Sequence, residues 1–299
     1  MPELLISEQS SASGSSASSS AFSIAKNARR GQKEEEEEDD PSAEDAATRK
    51  DFTFHYLPEA RFRMWTDRGF QMLLTKWGFG DSMCVGKWRF EEKVETRDQA
   101  RELVASFFRN DQNRAALQAL GVSVLAPRKL QLDIADISTA ETSMCLFQKL
   151  EDCGAIGASG HIKGRLDEYV GDIIVNSLIR EVFYMEESDL YDTYTEKERK
   201  EFILRIFQHL QIGGATNQYE DDVSEYMKAT KALYRDLVSV RKREDGEPEV
   251  TSMVFQVLKF EEGGGQLFKR EHSTNFCYMI VDAMLRHITM WKFAYDSAW

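Results

Sequence analysis

Cysteine and proline are scarce in these 299 residues, at four and five. Four cysteines (Cys84, Cys145, Cys153, Cys277) in so long a chain exclude a disulfide scaffold and fit a reducing, cytosol-like compartment. Positive charge is also short. Lys+Arg 38 against Asp+Glu 51 leaves −13, which argues against a nucleic-acid partner, whose footprint is a basic stripe. No apolar run approaches the ~18 residues of a spanning helix, so a soluble protein with no membrane partner is expected. A secretory signal lacks its apolar core. Ser-rich sequence with Lys26, Arg29 and Arg30 has the flavour of a transit peptide, but the early Glu3 and Glu8 and the missing amphipathic pattern speak against one.

What is present divides unevenly. Positions 7–23 hold ten Ser, and Glu34–Glu38 run into Asp39 and Asp40. Up to Lys50 there are eleven acids, six bases, no Trp or Tyr and a single Phe. Such a segment cannot bury enough apolar area to offset chain entropy, so residues 1–50 are expected to be a disordered tail. Hydrophobic residues make up 42% of the whole chain and aromatics 11%, enough for one α+β domain over residues 51–299.

Within that domain the periodicities alternate. Phe52–Leu57 reads as a short strand stopped by Pro58, and Met83–Phe90 as another. Trp65–Trp77 has helical spacing, with Thr66 as the expected cap and Gly78 as the stop. Thr96 opens a helix to Asn110, with Gln99 at the capping-box position. A helical piece at Ala115–Leu120 is followed by strands at Val122–Leu125 and Leu130–Ile137, and Thr142–Leu150 reads as helix. Residues 173–185 suit helix or strand equally. Thr195, with Glu198, caps an expected helix Glu196–Gln211 ended by Gly213-Gly214. A helix from Asp222 to about Leu233 should yield to strands at Leu233–Arg243, Val250–Phe260, Phe276–Val281 and His287–Phe293. Helices mostly precede long strand pairs, so an α+β fold is predicted, with a largely antiparallel sheet and a strand-rich C-terminal third.

No familiar active site emerges. The glycines at 154, 157, 160 and 164 have neither P-loop nor Rossmann spacing, and read as a turned loop. Cys145, Cys153 and His161 are too widely spaced for a zinc knuckle. None of the five His (His55, His161, His209, His272, His287) sits in a nucleophile or metal-hydrolase motif. His209, late in its helix, is expected to offer its charge to the dipole. Glu220-Asp221-Asp222 reads as carboxylates at a helix start, and Arg241-Lys242-Arg243 as an exposed hairpin tip. No catalytic, cofactor-binding or metal-binding residue is therefore assigned, and no cofactor.

The order His209-Leu210, Gly213-Gly214-Ala215, Gln218-Tyr219-Glu220-Asp221, Asp236-Leu237-Val238-Ser239-Val240-Arg241-Lys242, Val254-Phe255, Val257, Phe276, Tyr278, Ile280-Val281-Asp282 and Arg286-His287 resembles the cilia- and flagella-associated protein 300 family. Phe54, Leu57-Pro58 and Ser159-Gly160-His161-Ile162 extend the likeness upstream. The Ser/Glu-rich first 50 residues and the Glu261–Arg270 loop depart from it. The resemblance implies a non-enzymatic cytoplasmic and ciliary protein. Its role would be assembly of outer and inner axonemal dynein arms, with other assembly factors, dynein subunits and the intraflagellar transport machinery as partners. A small-molecule or nucleotide-dependent enzyme on an α+β scaffold and a permanent structural axonemal protein are the competing readings.

Overall fold

A computed structural model describes residues 52–295, apart from Asp245 and Glu247. The expected tail and its boundary at 50 lie outside the described residues. Six strands build the central sheet: β1 (Phe54–Tyr56), β2 (Met83–Phe90), β3 (Leu132–Ile137), β4 (Met253–Phe260), β5 (Phe276–Asp282) and β6 (His287–Phe293). Their order is β1-β2-β6-β5-β4-β3, and every pairing is antiparallel. The α+β expectation holds, and three of the six strands, β4, β5 and β6, lie in the C-terminal third.

The two-residue period of β5 explains the layers. Phe276, Tyr278 and Ile280 enter one core; Cys277, Met279 and Val281 enter the other. The first core receives α1 (Arg68–Lys76), α3 (Leu178–Tyr184), α4 (Phe202–Ile212) and α5 (Ser224–Leu237). The second receives α2 (Arg97–Arg109), whose Ala100, Leu103, Val104, Phe107 and Phe108 form the anticipated apolar face. Because helices cover both sides, every residue of β5 is buried. Continuous apolar sequence rather than alternation is the result.

Strand β3 closes one edge of the sheet, where unpaired carbonyls would invite another chain. Three arginines of α2 reach over it. Arg101 Nη1 donates to Ile134 O at 2.6 Å, Arg97 Nη2 to Ile137 O at 3.0 Å, and Arg109 Nε to Leu130 O at 2.9 Å. Arg97 and Arg101 also ion-pair with Asp136, holding its carboxyl below the usual range against the upward push of partial burial.

Several expectations need correction. Asp67, not Thr66, caps α1, accepting from Phe70 N at 2.8 Å, and a separate turn Arg63–Thr66 precedes it. Thr142–Leu150 is a 3-10 turn at Met144–Phe147 followed by a short helix Gln148–Asp152. Residues 173–185 are both things in succession, a strand Ile173–Ser177 and then α3. The capping box at Thr195 and Glu198 is present, but its helix stops at Arg199 and α4 starts afresh at Phe202. Between them Ser138 N donates to Lys200 O, and Phe202 N donates to Ser138 O. Helix α5 runs on to Leu237, into the expected strand Leu233–Arg243, and leaves only the short pair Val240–Lys242 and Pro248–Val250 before β4.

Candidate interaction surface

One part of the family likeness, residues 213–220, meets the end of α1 at a junction on the margin of the first core. Gly78 ends the turn after α1, and Gly213-Gly214 follows α4. Gly214 N donates to Trp77 O at 2.8 Å, and Gln218 N to Lys76 O at 2.8 Å. Gly213 has φ +66 and ψ −163, outside the left-handed helical well that a C-cap glycine usually fills. Glu220 takes Lys76 Nζ at 2.7 Å on one oxygen and Trp77 Nε1 at 2.9 Å on the other. It is therefore a tie back to α1 and not a dipole carboxylate of α5. Asp222 does serve that start, accepting from Ser224 N at 2.8 Å, and this hydrogen bond holds its carboxyl below the usual range.

The cation at the end of α4 is not His209. Arg180, on α3 and almost wholly buried, sends Nη2 to Gln211 O and Ile212 O, both at 3.1 Å, and Nη1 to Ile174 O at 2.7 Å. Its guanidinium lies 4.2 Å from the Tyr219 ring. Carbonyls at a helix C-terminus attract a cation, so the charge is well placed. In the sequence Arg180 stands beside Glu181, between Ile179 and Val182, and nothing local marks it as the buried cation. The expectation that His209 offers a charge fails. Its ring lies 4.0 Å from Phe276, centroid to centroid, and its Nε2 is 2.8 Å from Tyr278 Oη. Although part of the residue reaches the surface, the imidazole is enclosed. Burial first, and the charge of Arg205 second, push its pKa down to about 3.

That shift has a measurable consequence. A histidine whose folded pKa is depressed binds fewer protons than its unfolded counterpart. Stability must then fall as pH drops below the unfolded value of about 6.5. His272 and His287 are shifted the same way by burial. Urea unfolding between pH 7 and 5, above the main carboxylate range, is expected to show this loss. His209→Gln should make the slope shallower by up to about 1.4 kcal/mol per pH unit. An unchanged slope would mean that His209 is protonated in the fold.

The remaining candidates are dispersed. Among the described residues no group of three or more His, Cys, Asp or Glu could hold a metal ion, and no helix is long and apolar enough to cross a membrane. Cys153 Sγ contacts Leu150 O at 3.5 Å, while Cys145 is exposed. The glycine loop is tightly turned: Ile162 N donates to Asp221 O, and Val223 N to Gly160 O. His55 pairs with Glu91 at the surface, and His272 stacks on Tyr295. Arg241 pairs with Glu249 across the expected hairpin tip.

Two surface features stand out instead. A groove of about 710 Å³ lies beside the β3 edge, lined in part by Arg97, Asp136, Lys197, Lys200, Arg243 and Glu249. Its two acids are already matched by arginines. Among the described residues the ammonium groups of Lys197 and Lys200 make no ion pair. This cationic groove runs against the net charge of the chain. The second feature is the hairpin Gly164–Val170 with Ile173–Ser177. Leu166 there is 89% exposed and Tyr169 70%, apolar surface of the kind that marks protein contacts.

Comparison with known proteins gives a consistent answer. A family model described as cilia- and flagella-associated protein 300 matches residues 51–293. A protein of that name from Chlamydomonas reinhardtii is 28% identical over 235 residues, 76% of this chain and 91% of the relative. Another of that name from Paramecium tetraurelia is 27% identical over 236 residues, 78% of this chain and 90% of the relative. No solved structure matches significantly.

Proposed function

This chain belongs to the cilia- and flagella-associated protein 300 family, and from that premise we propose that it acts without catalysis, as a factor in the assembly or intraflagellar transport of outer and inner axonemal dynein arms. It is a cilium- or flagellum-associated protein by membership. Work in the cytoplasm and delivery to the axoneme belong to the proposal, as do its partners: dynein-assembly factors, dynein subunits and the transport machinery.

The observation that supports this reading is the employment of the family-like residues. His209, Gly213, Gly214 and Glu220 are occupied in joining α1, α4 and β5. They build a scaffold, and the chemistry left at the surface is that of binding. The groove with Lys197 and Lys200 suits a carboxylate-rich segment of a dynein-arm subunit, by charge complementarity. Contacts of this kind are screened by salt.

Immunoprecipitation from cytoplasm and from isolated axonemes tests it. Dynein-arm chains should accompany the cytoplasmic pool, less so as salt rises. The paired substitution Lys197→Glu and Lys200→Glu should lower the yield several-fold while leaving the thermal midpoint unchanged. A protein found solely in axonemes, without dynein chains, would be a permanent structural component and the proposal would fail.

A further inference from the structure

The strands Gly164–Val170 and Ile173–Ser177 form a two-stranded sheet of their own. Val170 and Ile173 close its two-residue turn, where Gly171 supplies a positive φ of +59. Hydrogen-bonded and non-hydrogen-bonded pairs alternate from there. The peptide groups of the next pair, Tyr169 and Ile174, therefore point away from the hairpin. On the Ile174 side the carbonyl is taken by Arg180 Nη1 at 2.7 Å. On the Tyr169 side, among the described residues, neither N nor O has a hydrogen-bond partner outside the hairpin. That edge of Gly164–Val170 is open. Proline and lysine, which commonly blunt an exposed edge, are absent from the strand.

A bulge adds apolar contact surface. Gly164 faces Ser177 and Glu168 faces Val175, so residues 165–167 oppose Asn176 alone. The unequal count lifts the middle residue, Leu166, out of the ladder and leaves it almost fully exposed, with Tyr169 exposed three positions on. The surrounding charge is negative. Arg165 is answered twice, by Glu168 at 2.6 Å and Glu181 at 3.3 Å. Asp172 in the turn lies 4.0 Å from His272. Lys163 leans over the glycine loop, 3.5 Å from where a Cβ on Gly154 would stand. Asp167 remains on the edge itself. Glu186 and Glu187 follow Met185, whose sulfur contacts Arg165. All three acids are exposed, and among the described residues none of them makes an ion pair.

We propose that this edge accepts an extended segment of a partner protein, built of Lys or Arg alternating with apolar residues, as a third strand. Main-chain hydrogen bonds supply the affinity. Leu166, Tyr169 and the unpaired carboxylates select an apolar and basic sequence. The same carboxylates disfavour a second copy of this chain, because two such edges side by side bring like charges together. The surface is opposite in sign to the groove of Lys197 and Lys200, and it stands independently of the reading built on that groove.

Fluorescence anisotropy of labelled peptides of about ten residues against the full chain tests this. A peptide of alternating Lys and Val is expected to bind saturably, and its Glu and Val counterpart about tenfold more weakly or not at all. The Lys and Val peptide N-methylated throughout has no main-chain donors and should not bind. The paired substitution Leu166→Ser and Tyr169→Ser, at exposed positions, should weaken binding several-fold and leave the thermal midpoint unchanged. Absence of binding, a preference for the Glu peptide, or binding that survives N-methylation or the paired substitution overturns the proposal. So does a concentration-dependent dimer in sedimentation that Leu166→Ser abolishes, which would make a second copy the occupant.

Discussion

Cells deprived of this protein are expected to build cilia of near-normal length that beat weakly or not at all. Cross-sections of their axonemes should lack outer and inner dynein arms or show them reduced, with dynein heavy chains depleted. Family membership and the binding role proposed for it lead to this expectation. Dynein arms are large hetero-oligomers, and partly assembled subunits expose apolar and edge surfaces that risk aggregation. A partner without catalytic activity can cover such a surface, or hold an assembled arm in a transport-competent state. It needs only a higher affinity for that state than for the docked one. The arms are therefore lost without the cilium being lost. Complete arms with a defect elsewhere, such as the central pair, would refute the reading. So would a hydrolase activity of the purified chain that a point mutant abolishes together with motility.

The second large effect is on stability. A Cβ added at Gly214 would lie 2.0 Å from Gly78 O and 2.7 Å from Gly78 C, both backbone atoms. One at Gly213 would lie 2.5 Å from Trp77 O, on a residue already at φ +66. The two segments are held together by the Gly214 N to Trp77 O hydrogen bond, so neither can retreat without breaking it. Gly214→Ala is thus expected to destabilise by about 3 kcal/mol, the upper range for overpacking. For a domain of this size that is roughly a 6–12 °C fall in midpoint. Gly80 provides the control. It has φ +48 but nothing within 4 Å of an added Cβ, so Gly80→Ala should cost only the backbone strain, about 1–2 kcal/mol. Equal losses at both positions would show that contact with Gly78 is not what Gly214 serves. Gly213 has the positive φ, and the tighter contact belongs to its neighbour.

Much of this protein is written in short-range sequence. Thr96 accepts from Gln99 N and opens α2; Thr195 and Glu198 form their reciprocal box; Gly78 and Gly121 stop their elements at positive φ. Strands β2, β5 and β6 stand within a residue of where their apolar composition put them. These features depend on contacts a few residues apart and on the period of burial, and both are visible in one dimension. Contacts between distant residues decided the rest. The helix expected over Glu196–Gln211 breaks because Ser138, some sixty residues away, takes the backbone groups of Lys200 and Phe202, and Glu201 turns inward to bind Ser138 Oγ at 2.7 Å. Nothing near Arg180 or Glu220 in the chain announces that one satisfies the carbonyls ending α4 and the other ties down Lys76. His209 sits where a charge would suit its own helix, but β5 and β6 enclose it in aromatic rings, and an ionised imidazole there would lose its water. Lys292 looks like an ordinary surface cation until the sheet order buries it. Burial, and with it the charge state and partners of these groups, depends on which elements pack together. Local propensity carries no record of that.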